Sequence, residues 1–126
     1  MAEAYVDTSV LIALAFGESG AGALALRLNR FDMRLATNLL EAEYRSAHHR
    51  EGREPDLSQL SSFTWVMPAR PLSEEIGRVL QTGYVRGADC WHLATALFLD
   101  PGARSLTFLT LDSRQRAVAR RLGFRT

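Results

Sequence analysis

Four acidic residues stand where chemistry tends to gather in a chain of alternating strands and helices. Asp7 follows the apolar triplet Ala4-Tyr5-Val6 and precedes Thr8-Ser9 and a second apolar run, Val10 to Ile12 with Leu14. A carboxylate at the carboxyl end of a buried parallel strand lies where open α/β sheets collect ligands. The same place suits a helix N-cap, so Asp7 alone supports both readings. Glu43 is more pointed. It shares a helical face with Leu39, Leu40 and Ala47, where an ionised carboxylate is costly unless paired or bound to a cation. Glu41, two residues earlier, has capping and a salt bridge to Arg45 open to it. Asp89 starts a helix whose inner stripe is Asp89, Leu93, Ala96 and Leu97, and it reads both as a cap and as an inward acid. Asp112 follows the strand Ser105–Thr110 and has Gln115 three positions on; taken alone, it reads as the cap of a capping box.

Taken together, the four are not independent. Asp7 and Asp112 follow strands, while Glu43 and Asp89 belong to helices expected to pack over the same carboxyl edge. Carboxylates converging there repel one another and raise their own pKa values unless a cation sits among them. Oxygen-only ligation with room for water is what Mg²⁺ or Mn²⁺ prefers. Histidine does not compete as a ligand. His48 and His49 are adjacent and splay to different faces, and His92 beside Trp91 reads as a packing or hydrogen-bonding residue.

The elements that must position these acids follow from apolar periodicity and turn chemistry. Strands are expected at Ala4–Val6, Arg34–Thr37, Thr64–Met67 and Ser105–Thr110, with a last edge strand starting at Gly123-Phe124. Helices lie between them. One follows Asp7, one ends near Leu28, and one runs from a capping box at Asn38 and Glu41 towards His49. A brief helix is capped by Asp56, another starts at Ser73, a strongly apolar one runs from Gly87 to Leu99, and a basic one runs from Asp112 to Leu122. Alternation of this kind implies α/β architecture: a three-layer α/β/α sandwich around a parallel sheet of four or five strands. The single polar loop of linker composition, Arg50 to Pro55, is too short to separate domains, so residues 1–126 are expected to form one domain.

Composition narrows the classes further. Net charge is only +1, which excludes a polyelectrolyte nucleic-acid binder. All 15 basic residues are Arg and none is Lys; Lys-dependent active sites are therefore excluded, and the forked guanidinium suits phosphate. Six of those Arg crowd between Arg104 and Thr126 against one acid, Asp112, as a solvated helix face or a phosphate-binding one. No apolar run nears the ~20 residues of a membrane helix. The first residues, Met-Ala-Glu, lack the basic region of a signal peptide, and the lone Cys90 has no partner for an internal disulfide. A cytoplasmic protein is the expectation.

The blocks Asp7-Thr8-Ser9, Glu43 six residues after Thr37, Arg86-Gly-Ala-Asp89-Cys-Trp-His-Leu-Ala-Thr-Ala96 and Thr110-Leu-Asp112 resemble the PIN-domain ribonucleases, and most nearly the VapC toxins of bacterial toxin–antitoxin pairs. The likeness spans nearly the whole chain, and the Asp-x-x-His-x-Ala-x-Ala helix is its most specific part. It implies a PIN-like fold and a Mg²⁺-dependent endoribonuclease, Mn²⁺ being an alternative ion. By the same resemblance Asp7, Glu43, Asp89 and Asp112 form the catalytic acidic quartet. Asp7 and Asp89 would bind metal directly, Glu43 would position metal or water, and Asp112 would act through water. Ser9 and Thr110 match supporting polar positions. Arg86, Arg114 and Arg116 are expected to hold RNA phosphates. Implied partners are an RNA (tRNA, rRNA or mRNA), a small cognate antitoxin and a second copy of the chain. A PIN-like RNA-binding or scaffold protein without turnover is the alternative, though the presence of all four acids speaks against it. Response-regulator and haloacid-dehalogenase chemistry both call for a Lys, and the latter for an Asp where Ser9 stands.

Overall fold

The computed structural model describes all residues, 1–126. Four strands, β1 (Glu3–Val6), β2 (Met33–Thr37), β3 (Thr64–Val66) and β4 (Thr107–Leu109), form one parallel sheet in the order β3-β2-β1-β4. β1 pairs with β2 through Ala4–Arg34 and Tyr5–Leu35, and with β4 through Tyr5–Phe108 and Val6–Leu109. The expected edge strand at Gly123-Phe124 does not form. A single parallel bridge links Thr107 to Arg125 instead, held by Phe108 N–H donating to the Arg125 carbonyl at 2.8 Å. Gly123 takes the left-handed conformation (φ 108°) that closes the preceding helix, so too few residues remain for a ladder.

The period of two along each strand divides the core into two layers. Tyr5, Leu35 and Phe108 face one cluster, which they share with Val79, Leu93 and Val118 of helices α4 (Ser73–Thr82), α5 (Gly87–Leu99) and α6 (Ser113–Leu122). Ala4, Val6, Ala36 and Leu109 face the other, packed with Val10, Leu28 and Leu40 of α1 (Thr8–Ala15), α2 (Ala21–Leu28) and α3 (Leu39–Arg50). Strands buried on both faces explain the unbroken apolar triplets, and the result is a three-layer α/β/α sandwich. The chain moves outward from β1 through β2 to β3, then returns to place β4 on β1's other side. That reversal makes the crevice beyond the ends of β1 and β4 the topological switch point of the sheet.

Several helix starts differ from expectation. Asn38 is itself helical and caps nothing; its amide donates to Glu41 Oε1 at 3.1 Å, while Glu41 pairs with Arg45 at 3.0 Å. A side chain accepts from the backbone only when its own residue stays extended, and Asn38 (φ −66°, ψ −10°) does not. Likewise α4 begins at Ser73 without a side-chain cap. Asp89 is no cap either: α5 starts two residues before it, after an extended Arg86. Asp7, Asp56 and Asp112 do cap, accepting from the backbone N–H of Ser9, Ser58 and Gln115, respectively; the Asp56 element is a 3₁₀ helix, Leu57–Ser62.

Candidate functional site

The switch-point crevice is an open cleft of about 650 Å³ that Asp7, Glu43, Asp89 and Asp112 line together with Arg50 and Arg86. Two acids arrive on strand-to-helix turns and two on helices from opposite layers of the sandwich. Asp7 is buried and its Oδ2 accepts from Ser9 N–H at 3.1 Å. The Thr110 hydroxyl stands 3.2 Å from the same oxygen and 3.4 Å from Ser9 Oγ, which itself accepts from Leu111 N–H at 3.0 Å. Ser9 and Thr110 thus brace the ends of β1 and β4 against each other beneath the cleft.

Glu43 is held from below. Its Oε1 accepts from the Thr8 hydroxyl at 2.7 Å and from His92 Nε2 at 2.8 Å. His92 is completely buried, and its Nδ1 lies 2.7 Å from the Tyr5 hydroxyl. Burial pushes the Tyr5 hydroxyl far above its ordinary pKa, so it stays protonated and donates to Nδ1. The imidazole proton is thereby left on Nε2 and points at Glu43. Burial raises the Glu43 carboxyl, but the hydrogen bonds from His92 and Thr8 more than offset it and hold the group below the usual carboxylate range. Glu43's contribution to stability is therefore present above the ordinary Glu pKa of about 4.3 and lost as pH falls through the lower folded value.

Gln115 gathers the other three acids. It is fully buried; its amide nitrogen donates to Asp7 Oδ1 and to the Asp89 carbonyl, each at 3.3 Å. Its Oε1 accepts from Thr110 at 2.6 Å, and its backbone N–H donates to Asp112 Oδ1 at 2.7 Å. Sequence reasoning gave Gln115 only a capping role and gave Thr8, Tyr5 and Arg50 no role of their own in the site. His92 was legible only as a packing or hydrogen-bonding residue; its place three positions after Asp89, on one helical face, is the signal that could have linked it to that acid.

The three expected phosphate-binding arginines part ways. Arg86 lines the cleft; Arg114 lines an adjoining depression with Asp89 and Asp112. Arg116 faces neither, because its guanidinium donates to the Thr110 carbonyl at 2.7 Å and supports the end of β4.

The donor set fits a hard divalent ion. No three acidic, histidine or cysteine side chains already close around one point, and Mg²⁺ does not require that, since it keeps several waters and takes one or two carboxylates. Glu43 and Asp112 each commit one oxygen to the chain and leave the other free. Burial, and then the negative charges of Asp7 and Asp112, hold the Asp89 carboxyl above its ordinary pKa despite Arg86 nearby. A carboxyl raised in the fold supports folding fully below its unfolded pKa of about 3.9, and that support is lost as pH rises through the folded value. At neutral pH Asp89 therefore costs stability when no cation is present. Asp89→Asn should raise the metal-free melting temperature at pH 7, by about 2–5 °C for each kcal/mol relieved. The gain should vanish in a scanning-calorimetry series taken down to pH 3. An equal gain at both pH values would contradict the repulsion.

The chain is thus an α/β domain whose doubly covered parallel sheet carries an acidic cleft at its switch point. Residues 4–121 match the PIN domain family, and the chain belongs to it. No curated protein and no solved structure matches the chain. No helix is long and apolar enough to cross a membrane.

Proposed function

We propose that this chain is a divalent-metal-dependent endoribonuclease and the toxin of a toxin–antitoxin pair. The observation that carries the nuclease reading is the convergence of Asp7, Glu43, Asp89 and Asp112 on one open cleft with Arg50 and Arg86 at its edges. Asp7, Asp89 and Glu43 would hold Mg²⁺ or Mn²⁺, with Asp112 acting through water. When bound, such an ion lowers the pKa of a bound water and stabilises charge on an attacked phosphodiester. The chain itself supplies the rest. His92 and Thr8 keep Glu43 ionised and fixed, Gln115 sets the spacing of Asp7 and Asp112, and Arg50 and Arg86 attract the phosphates. The similarity of the sequence blocks to VapC toxins supports the toxin role, the small antitoxin as partner, and a homodimer.

Purified protein should cut tRNA, rRNA or mRNA in Mg²⁺, stop in EDTA, and leave 5′-phosphate and 3′-hydroxyl ends. Absence of metal-dependent cleavage across these RNAs would overturn the enzyme. Induced expression should arrest bacterial growth, with rescue by the product of a neighbouring short reading frame; unaffected growth would remove the toxin role. Binding to the folded state alone also predicts a thermal shift. At ten times Kd, Mg²⁺ contributes about 1.4 kcal/mol, roughly 3–6 °C for a chain of this size. A flat titration through millimolar Mg²⁺ would count against the quartet.

A further inference from the structure

Of the eleven Phe, Trp and Tyr side chains, Tyr84 alone is exposed, at 65%. It lies between α4 and α5, and its ring separates two depressions. On one side are Arg86, Asp89, Asp112, Ser113 and Arg114. Arg86, Asp89 and Asp112 also line the acidic cleft, so this depression continues it. On the other side an apolar hollow of about 500 Å³ is lined by Ile76, Leu80, Val85, Cys90 and Trp91. The Arg114 guanidinium sits over the Tyr84 ring, 5.6 Å from its centroid.

A flat aromatic face and the flat Arg114 guanidinium, set beside a second cation, Arg86, at the end of the acidic cleft, are what an unpaired base requires. Stacking needs a π-face free of neighbours, which a base inside a duplex lacks.

We propose that Tyr84 and Arg114 form a stacking platform for a nucleobase of single-stranded RNA whose backbone runs through the acidic cleft. This rests on the ribonuclease reading above and adds to it the two side chains that grip a base beside the cleft.

The test uses the full chain carrying Asp7→Asn, in millimolar Mg²⁺, with a short fluorescein-labelled single-stranded RNA followed by anisotropy. Adding Tyr84→Ala or Tyr84→Leu should weaken binding by about 5- to 100-fold, the range of one base–aromatic stack. Tyr84→Phe should stay within about twofold. An RNA with 2-aminopurine at successive positions should be quenched at one of them, and Tyr84→Ala should abolish that quenching, which a merely structural role would not do. A fully paired RNA stem should compete poorly. Equal affinity of the Tyr84→Leu protein, no position-specific quenching, or an equally good paired competitor would overturn the platform. Failure of the Tyr84-containing protein to bind any RNA would instead strike at the ribonuclease reading itself.

Discussion

Asp7→Asn should reduce RNA cleavage by at least about a thousandfold while the chain still folds. Loss of a ligand charge removes several kcal/mol of transition-state stabilisation, and each 1.36 kcal/mol is a factor of ten. The fold survives because Asn caps a helix about as well as Asp. Oδ1 of the new amide can still accept from Ser9 N–H, as Asp7 Oδ2 now does at 3.1 Å. The amide NH₂ must then face Gln115 Nε2, which stands 3.3 Å from the present Oδ1. Turning Gln115 over does not relieve this, since Oε1 would then face the Asp89 carbonyl oxygen that Nε2 now reaches at 3.3 Å. Two donors meeting in a buried place cost about 1–3 kcal/mol, partly offset by one less charge facing Asp89. A fall in melting temperature of a few degrees is expected, with a cooperative transition and unchanged far-ultraviolet dichroism. Gel-resolved cleavage of RNA in matched Mg²⁺, run beside that melt, checks both halves. Undiminished cleavage would take Asp7 out of the mechanism.

The layers of the sandwich were legible because buried parallel strands advertise themselves locally. Ala4-Tyr5-Val6 and Thr107-Phe108-Leu109 are short apolar or β-branched runs bounded by turn residues, and each sits where it was expected. Asp7 and Asp112 were visible for the same reason: a strand end and a helix start flank each of them. The candidate site is less local. His92 meets Glu43 across 49 residues of sequence and Tyr5 across 87, and no periodicity along α5 reports such partners. Gln115 has the spacing of a capping box, yet its amide turns away from the cap to reach Asp7, because that carboxylate lies within reach only once β1 and β4 are paired. Asn38 failed as a cap, and Asp89 lies inside its helix, for a related reason. Whether a polar residue caps depends on its own backbone angles, and packing of α3 and α5 sets those. The same limit applied to Arg116, whose guanidinium reaches the Thr110 carbonyl, a contact that no local spacing announces.

His92→Phe should lower kcat for RNA by about 10- to 100-fold with little change in KM. The phenyl ring, somewhat larger than imidazole, keeps an aromatic ring in edge-on contact with Tyr5, whose ring centroid lies 5.8 Å away. What it removes is the donor to Glu43 and the acceptor for Tyr5. Glu43 keeps only the Thr8 hydroxyl, so burial dominates and its carboxyl rises towards and above the ordinary range. The Tyr5 hydroxyl is left as a buried donor without a partner, at about 1–3 kcal/mol. Stability and activity therefore fall together in the single variant, and a melting curve alone would not separate the two causes. The double variant Tyr5→Phe, His92→Phe does separate them. Replacing both partners by apolar rings leaves no orphaned hydroxyl, at the smaller cost of the long 3.3 Å contact from Thr37 N–H, so most of the lost stability should return. Cleavage should not return, because Glu43 still lacks its hold. Recovery of kcat alongside stability would mean that His92 matters only for packing and that Glu43 needs no positioning from beneath.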